Sequence, residues 1–325
     1  MASRYVVTGA AGFIGSHLTE RLLARGDRVL AIDNFDPFYD PAEKRANLAA
    51  AAEREGFRLA EVDCSRLDAL RAALADGTFD AIVHLAAKAG VRPSIASPTA
   101  YVEANVLGTQ AILEIARERG IGRVVFGSSS SVYGNNREVP FSEDAPVERP
   151  ISPYAATKRS AELLCLTHQH LHGGAVCALR YFTVYGPRQR PDLAIRSFAE
   201  RLLDGMPITV FGDGSSERDY TWIDDIVDGT VAALDRTAGP DHWFEIINLG
   251  GSRTTSLARL IDLIAEATGR SPDIRRVPDQ PGDVRRTHAD IGKAARLLAY
   301  RPTVHVEEGI PRMVDWLLRR RAERA

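Results

Sequence analysis

The sequence predicts an α/β protein with a Rossmann-type, doubly wound parallel sheet and a smaller C-terminal α/β substrate domain. Three observations carry this prediction. Short apolar runs alternate with helical patterns in the first half of the chain, the first run leads into a glycine-rich turn at 9–15, and the second run is followed at once by Asp33. Such alternation favours a parallel sheet with helices on both faces.

The strand candidates are nearly continuous in apolar residues, as in strands that are covered on both faces. These candidates are 4–8, 28–32, 57–62, 80–85, 123–128 and 175–181. The helix candidates between them are 14–25, 42–54, 66–75, 99–119 and 154–171. We therefore expect residues 1–181 to form the first domain, which would bind a dinucleotide.

Glycine and proline become frequent after about residue 182, and the regular alternation stops. We expect residues 182–325 to form the second domain, except that a helix at 223–235 and a strand at 244–249 would return to the first. The remaining helix candidates are 192–204, 256–268, 290–298 and 307–322. The cleft between the two domains is the expected ligand site.

Composition excludes several classes of partner. The 325 residues are 45% hydrophobic and 26% charged, as in a soluble globular protein, and a net charge of -2 gives no reason to expect nucleic acid or an anionic membrane. No secretory leader and no bilayer-length apolar run is visible. The three cysteines are irregularly spaced, which predicts free buried thiols and a cytoplasmic location.

The turn at residues 9–15 has the glycine spacing of a dinucleotide site. Gly9 would allow the tight turn, Gly12 the approach of a pyrophosphate, and Gly15 close packing of the helix on the sheet. A carboxylate at Asp33 would accept both ribose hydroxyls and repel a 2′-phosphate, which favours NAD over NADP. Asp63 is a candidate for the adenine edge. The alternative interpretation is a plain tight turn with Asp33 as a loop cap.

Tyr154 and Lys158 stand four residues apart on a predicted helix that Ser152 and Pro153 would start. A free phenol has a pKa near ~10, and a neighbouring ammonium and a nicotinamide cation would lower that pKa. Tyr154 would then take a proton from a substrate hydroxyl. The alternative is an ordinary surface pair on a helix.

A serine run, 128–131, follows the strand at 123–128, and its hydroxyls can donate to and accept from a reacting oxygen. Ligands of such sheets bind at the carboxyl ends of the strands. His168 and His172 would share a helix face, but they lack a third ligand at metal-like spacing, so we expect no metal. His84 ends a buried strand and is interpreted as a core or cofactor-lining histidine.

The combined motifs resemble the extended short-chain dehydrogenase/reductase family over nearly the whole chain. The matching pieces are Thr8-Gly9-x-x-Gly12-x-x-Gly15, His84-Leu85-Ala86-Ala87, Asn105, Ser129-Ser130-Ser131-Val132-Tyr133-Gly134, Tyr154-x-x-x-Lys158 and Arg180 to Pro187. The stretch Arg218-Asp219-Tyr220 resembles the nucleotide-sugar branch, whose arginine grips the diphosphate.

Within this branch the chain is most similar to the UDP-glucuronate 4-epimerases. The similarity rests on residues 33–40, on Ala89-Gly90-Val91-Arg92, and on residues 182–192. It implies conversion of UDP-glucuronate to UDP-galacturonate by transient oxidation at C4, with Thr183 and Arg190 holding the sugar carboxylate. An arginine fork with a neighbouring hydroxyl suits a carboxylate. The alternative is that Arg188 and Arg190 serve a solvated loop or contact the diphosphate.

The resemblance also implies the role of each site residue. Tyr154, Lys158, Ser129 and Ser130 would be catalytic. Tightly bound NAD would contact Gly9, Gly12, Phe13, Ile14, Gly15, Asp33, Asn34, Asp63, Leu85, Ala86, Ala87, Lys88, Asn105, Tyr154, Lys158 and Tyr181. The UDP-sugar would contact Arg92, Thr183, Arg190, Val210, Arg218 and Asp283. The helices at 99–119 and 154–171 resemble those of a four-helix homodimer interface, although their apolar residues would equally suit an internal core.

Related enzymes with other activities carry different residues at the position of the serine run. The 4,6-dehydratases carry an Asp-Glu pair before the Val-Tyr-Gly match, and the UDP-glucuronate decarboxylases carry a glutamate at the position of Ser131. This chain has serine at 129, 130 and 131, which favours epimerisation. The alternatives are a UDP-glucose/UDP-galactose 4-epimerase, a UDP-glucuronate decarboxylase or other net NAD-dependent oxidoreductase, and a cofactor-binding protein without turnover.

Overall fold

The computed structural model describes residues 2–239, 241–278 and 284–323. The strands within these ranges are β1 (Arg4–Thr8), β2 (Arg28–Asp33), β3 (Phe57–Glu61), β4 (Ala81–His84), β5 (Arg123–Ser129), β6 (Gly174–Tyr181), β7 (Thr183–Tyr185), β8 (Ile208–Phe211), β9 (Glu217–Trp222), β10 (His242–Leu249), β11 (Thr254–Ser256) and β12 (Ile274–Val277).

The α-helices within the same ranges are α1 (Phe13–Ala24), α2 (Pro41–Asn47), α3 (Ala49–Ala52), α4 (Leu67–Ala73), α5 (Val91–Ala96), α6 (Pro98–Tyr101), α7 (Gly108–Glu118), α8 (Pro153–His172), α9 (Ala194–Leu203), α10 (Ile223–Arg236), α11 (Leu257–Thr268), α12 (Gly292–Leu298) and α13 (Val306–Ala322). A π-helical segment, Val102–Leu107, joins α6 to α7, and a 3-10 turn, Ser130–Tyr133, follows β5.

Seven strands form one parallel sheet in the order β10-β6-β5-β4-β1-β2-β3. The chain runs outward from β1 through β2 to β3, and then crosses back to β4 on the other side of β1. The order of strands therefore reverses between β1 and β4. In an open α/β sheet this reversal leaves a crevice at the carboxyl ends of the strands, and ligands bind in it.

Helices cover both faces of this sheet, as the sequence predicts. On one face α1 packs against α10, and a large apolar core fills the space between these helices and the strands. On the other face α4, α7 and α8 pack together over a second apolar core. Both faces of the central strands are thus covered, which explains their continuous apolar sequence.

Smaller sheets lie in the C-terminal part of the chain. The strands β7, β9 and β11 form a three-stranded sheet, and β8 pairs in parallel with β12. The helices α9, α11 and α13 pack against one another beside them. The strand β10 does not join these sheets but pairs with β6 at the edge of the large one.

Two helix predictions need correction. The predicted helix 42–54 is broken at Leu48 into α2 and α3. The predicted helix 99–119 is not uniform, because a π-helical segment interrupts it around Asn105, whose side chain bonds to the backbone of Lys88.

None of the described helices is long and apolar enough to span a bilayer. Cys64, Cys165 and Cys177 are free and buried, as predicted.

Candidate active site

A cavity of about 520 Å³ opens where the strand order reverses. Its walls come from the turn after β1, the ends of β2, β4 and β5, the first turns of α8, and the segment 181–193. The predicted site residues that line it are Gly9, Gly12, Phe13, Ile14, Gly15, Asp33, Asn34, Asp63, Leu85, Ala86, Ala87, Lys88, Ser129, Ser130, Tyr154, Lys158, Tyr181, Thr183 and Arg190. Folding therefore gathers most of the predicted site around one space.

The glycine turn after β1 is packed too tightly for side chains. A Cβ atom on Gly9 would lie 2.7 Å from the backbone nitrogen of Ala86, and one on Gly15 would lie 2.1 Å from the carbonyl oxygen of Gly9. Gly12 forms the N-cap of α1, so the free N–H groups of the first helical turn lie at the cavity. This arrangement fits a pyrophosphate, because unpaired N–H groups and the helix dipole both favour an anion.

Asp33 lies beside that turn and is held by the backbone. Its Oδ2 accepts a hydrogen bond from the Ala11 N–H at 2.9 Å, and its Oδ1 accepts one from Phe35 at 2.8 Å. Burial raises the pKa of Asp33, while these two bonds act in the opposite direction. A carboxylate has about four acceptor positions, so capacity remains for the two hydroxyls of a ribose. Asp63 accepts from the side-chain amide of Asn34 at 2.9 Å, and so holds Asn34 at the cavity wall.

Tyr154 lies in the first turn of α8, one turn before Lys158. Ser152 caps this helix by accepting from the Ala155 N–H at 3.1 Å. Burial has the largest effect and raises the pKa of Tyr154, while a hydrogen bond with Ser129 and the positive charge of Arg190 offset part of this rise. The tyrosine thus has a hydroxyl partner and a cation in the cavity, which are the groups that favour a phenolate.

The ammonium of Lys158 is buried and bonded to a backbone carbonyl. Its Nζ donates to the carbonyl oxygen of Gly127 at 2.7 Å and lies 5.0 Å from the centre of the Phe126 ring. Burial lowers the pKa of Lys158 to about 8. The expected effect of Lys158 on the pKa of Tyr154 stays a prediction.

Arg190 is presented by a tightly bonded loop. The buried side chain of Gln189 donates to the carbonyl oxygen of Val184 at 2.9 Å and accepts from the Arg196 N–H at 3.2 Å. The Arg190 guanidinium binds both carboxylate oxygens of Asp192, at 2.9 and 2.6 Å, and stacks over Phe38 at 4.9 Å. Its side chain is only 15% exposed, yet it lines the cavity.

Several predicted binding residues do not line this cavity. Asn105 is buried behind it, where its amide bonds to both backbone groups of Lys88 and to Thr157, so it supports the wall rather than forming it. The side chain of Val210 is buried in the core, which leaves only its backbone for a ligand. Neither residue is part of the cavity lining, and the contacts of both with a ligand stay a prediction.

The remaining predicted contacts lie toward the C-terminal sheets. The guanidinium of Arg92 packs 4.1 Å above the Phe211 ring. Arg218 lies on β9 and donates to the carbonyl oxygens of Glu217 and Arg285. Neither arginine is part of the cavity wall among the described residues. Asp283 lies outside the residues that the structure describes.

The cavity also contains residues that sequence reasoning missed. Tyr39 lines the wall, and its buried hydroxyl has no hydrogen-bond partner among the described residues. Tyr101 packs edge-on against Tyr154, with the ring centres 6.2 Å apart. Asp36 also lines the cavity, where its carboxylate pairs with the predicted residue Lys88 at 2.7 Å. The segment 33–40 carries the aromatic residues that could have pointed to such a wall, but their direction depends on the fold.

Known proteins share this fold and the motifs on the cavity wall. The family model described as "NAD dependent epimerase/dehydratase family" matches residues 5–250. A UDP-glucuronate 4-epimerase from Thermodesulfobacterium geofontis is 41% identical over 313 residues, which are 96% of this chain and 95% of that protein.

Solved structures agree with this match. The UDP-glucuronic acid 4-epimerase of Bacillus cereus, in complex with UDP-glucuronic acid and NAD, is 37% identical with a TM-score of 0.90 and covers 97% of this chain and 99% of its own. The UDP-glucose 4-epimerase of Thermus thermophilus, in complex with NAD, is 33% identical with a TM-score of 0.87, with coverage of 97% and 99%. With its glycine turn, its Tyr-Lys helix and these relatives, the chain belongs to the NAD dependent epimerase/dehydratase family.

Proposed function

We propose that this protein is an NAD-dependent 4-epimerase that interconverts UDP-glucuronate and UDP-galacturonate. One observation carries the proposal: Arg190 and Thr183 line the same cavity as Tyr154 and Ser129. Groups suited to binding a carboxylate therefore share one cavity with groups suited to transferring a proton. The similarity to the T. geofontis and B. cereus UDP-glucuronate 4-epimerases supports the choice of the acidic sugar.

The residues of the cavity fit NAD. The pyrophosphate would lie on the glycine turn, and Asp33 would accept from a ribose and disfavour a 2′-phosphate. Lys158 would hold the other ribose with the ammonium that now donates to Gly127. When bound, the nicotinamide would take a hydride from C4 of the sugar and return it, so that the cofactor is regenerated in each cycle.

The protein's own side chains would manage the proton at the 4-hydroxyl. Tyr154 would accept this proton as the sugar is oxidised and give it back as the sugar is reduced. Ser129, which hydrogen-bonds Tyr154, and Ser130 would hold the reacting oxygen in place. Because Tyr154 serves both directions, the same site suffices for oxidation and reduction, provided that the 4-keto sugar turns its other face in between.

The 4-keto intermediate of this sugar is a β-keto acid, which tends to lose carbon dioxide. Holding the carboxylate through Thr183 and Arg190 would restrain that loss. The serine run supplies no carboxylic acid at 129–131 to protonate an enolate, so decarboxylation lacks an acid at that position. These features favour epimerisation over the UDP-glucuronate decarboxylase alternative.

The nucleotide would extend toward the C-terminal sheets. Arg218 on β9 and Arg92, which packs on Phe211, are two of the cations on that side. We propose that Arg218 binds the diphosphate and that the backbone near Val210, with Asp283, completes the nucleotide site. Residues 1–181 with 223–249 would then form the NAD domain, and most of 182–325 the UDP-sugar domain.

We also propose a homodimer. Large apolar side chains are exposed on the segment 102–107 and on α8, among them Leu107 (53%), Leu163 (46%) and Leu171 (65%). Pairing these helices with their copies would form a four-helix interface and cover this surface. Sedimentation equilibrium should give twice the chain mass, and Leu163→Glu should lower the measured mass.

The free cysteines suit a reducing compartment such as the cytoplasm.

The decisive experiment is incubation of the purified protein with UDP-glucuronate, without added NAD and then with it, followed by identification of the product. UDP-galacturonate is expected. A UDP-pentose would favour the decarboxylase, and accumulating reduced cofactor would favour a net oxidoreductase. Turnover of UDP-glucose but not of UDP-glucuronate would favour the neutral-sugar epimerase. Arg190→Ala should reduce turnover of the acidic sugar far more than that of UDP-glucose.

A further inference from the structure

The ion pair between Arg190 and Asp192 has a geometry that bears on substrate choice. We propose that Asp192 is a positioning residue that aims Arg190 at the sugar carboxylate and so contributes to the preference for an acidic UDP-sugar. This inference rests on the proposed binding of that carboxylate by Arg190. Asp192 itself would not touch the substrate.

The guanidinium of an arginine has two edges that can each bind a carboxylate with two hydrogen bonds. Asp192 takes the side edge, because its Oδ1 accepts from Nε at 2.9 Å and its Oδ2 from Nη2 at 2.6 Å. The end edge is formed by Nη1 and the second hydrogen of Nη2. Among the residues that the structure describes, none accepts a hydrogen bond from Nη1 of Arg190. That edge is available to a second carboxylate.

The backbone around Arg190 is fixed independently of Asp192. Gln189 is bonded to Val184 and Arg196, and the Leu193 N–H donates to the carbonyl oxygen of Arg190 at 3.2 Å. The side chain of Arg190, however, has several rotatable bonds. The bidentate contact with Asp192, together with stacking on Phe38, restricts those bonds. The direction of the guanidinium is therefore the property that Asp192 controls.

Arg190 and Asp192 differ in their exposure and in their relation to the cavity. Arg190 lines the cavity and is 15% exposed, whereas Asp192 is 36% exposed and is not part of the described lining. A carboxylate that merely filled the substrate's place would compete with the sugar, and its removal would strengthen binding. If the carboxylate instead orients the arginine, its removal should weaken binding of the acidic sugar. The two roles can therefore be distinguished by a binding measurement.

The test uses the Tyr154→Phe protein loaded with NAD, so that binding is measured without turnover. Titration calorimetry gives the dissociation constants of UDP-glucuronate and UDP-glucose with and without Asp192→Asn. The acidic sugar should bind about tenfold more weakly in the Asp192→Asn protein, and the neutral sugar should bind unchanged. Tighter binding of the acidic sugar, an equal effect on both sugars, or no effect would overturn the proposal. Asp204→Asn, which breaks an exposed pair with Arg321, is the matched control and should change neither constant.

A double-mutant cycle separates this inference from the proposed function. If Asp192 acts through Arg190, adding Asp192→Asn to Arg190→Ala should cause no further loss. If Arg190→Ala does not distinguish the two sugars, the carboxylate site itself is wrong. If Arg190→Ala distinguishes them and Asp192→Asn does not, only the role of Asp192 is wrong.

Product analysis with an active Tyr154 gives a second readout, which general loss of stability would not produce. With Asp192→Asn, more of the 4-keto acid should decarboxylate. The C5–C6 bond breaks, its electron pair remains on C5 and takes a proton from water, and carbon dioxide leaves. Because the UDP-4-keto-pentose is released before hydride returns to it, the cofactor stays reduced. The amounts of UDP-4-keto-pentose and of reduced cofactor should therefore rise together. Asp192→Glu, which restores the charge, should partly reverse the effect.

Discussion

Glu162 and Arg180 form a bidentate ion pair in the interior, with Nε and Nη2 of the arginine 2.9 and 3.0 Å from the carboxylate oxygens. The same carboxylate accepts from Ser128 at 2.6 Å. This pair therefore connects α8, which carries Tyr154, to β6 and to the serine run at the end of β5. Burial alone would raise the pKa of Glu162, but the hydrogen bonds from Arg180 and Ser128 outweigh it and lower the pKa.

Glu162→Gln should destabilise the protein by about 3–5 kcal/mol, because it leaves the charge of Arg180 buried without its partner. Urea unfolding followed by circular dichroism measures this change. Glu266→Gln is the matched control, since its pair with Arg259 is exposed and should be worth at most about 1 kcal/mol. Equal losses of unfolding free energy in the two variants would contradict the structural role of the buried pair.

Tyr154→Phe should reduce epimerisation at least about 100-fold, because it removes the proton acceptor but keeps the ring. Binding of NAD and UDP-glucuronate, measured by calorimetry, should be nearly unchanged. The control is Tyr101→Phe, in which the ring that packs on Tyr154 remains and only the hydroxyl bonded to the Ala89 carbonyl is lost. Full activity of the Tyr154→Phe protein would rule out the proposed proton transfer.

Gly15→Ala should disrupt the cofactor turn. The new Cβ would lie 2.1 Å from the Gly9 carbonyl oxygen, so α1 must move away from the turn. We expect NAD binding to weaken more than about tenfold, together with an overpacking cost of about 1–3 kcal/mol. Gly122→Ala is the control, because its Cβ would meet nothing closer than 3.7 Å. Fluorescence titration with NADH measures the binding, and comparable affinities in the two variants would show that the close approach is tolerated.

The central sheet was predictable from sequence because its strands are buried on both faces and alternate with helices. Of the missed strands, β7, β8, β11 and β12 have only three or four residues each, too few for a period to emerge. The missed strand β9 has six residues, but its first three are Glu217, Arg218 and Asp219, so no apolar run marks it. Their pairing depends on partners far along the chain, as when Ile208 lies beside Ile274. Local sequence carries no signal for such a pairing.

In the site, too, the features with a local sequence signal were predictable and those that depend on distant residues were not. Tyr154, Lys158 and the glycine turn are local motifs, and their helix and turn positions follow from neighbouring residues. The contact of Arg190 with Phe38 brings together segments about 150 residues apart, so only the fold reveals it. The burial of the Tyr39 hydroxyl without a partner among the described residues is likewise visible only in the fold. Lys158 shows a further limit, because spacing places it beside Tyr154 but does not determine that its ammonium points to Gly127.

Asp33 should determine the choice between NAD and NADP. The protein should bind NADH at least about tenfold more tightly than NADPH, because the carboxylate accepts from ribose hydroxyls and repels a 2′-phosphate. Asp33→Ala should largely remove this preference. Asp63→Asn is the control, since that residue holds Asn34 and should affect both cofactors alike. Fluorescence titration provides both constants, and an unchanged preference in Asp33→Ala would contradict the assignment.

His84 should make the protein less stable in acid. Its Nδ1 lies 2.7 Å from the hydroxyl of Thr8 and its Nε2 lies 3.2 Å from that of Thr109. Thr109 already donates to the Asn105 carbonyl, and Thr8 already accepts from Ala86, so we assign the proton to Nε2 and an acceptor role to Nδ1. A second proton on the ring would face a hydroxyl donor. Burial lowers the pKa of His84 to about 3.

The sign of the pH dependence follows from this lowered pKa. An unfolded histidine titrates near ~6.5, so between about pH 6.5 and about pH 3 the unfolded chain binds more protons than the folded one. The contribution of His84 is therefore complete above about pH 6.5 and is lost as the pH falls, by up to about 1.4 kcal/mol per pH unit. Urea unfolding across this range should show a shallower slope for His84→Gln. The exposed His170→Gln should keep the slope of the parent protein, and identical slopes in all three proteins would mean that His84 is not held neutral by the fold.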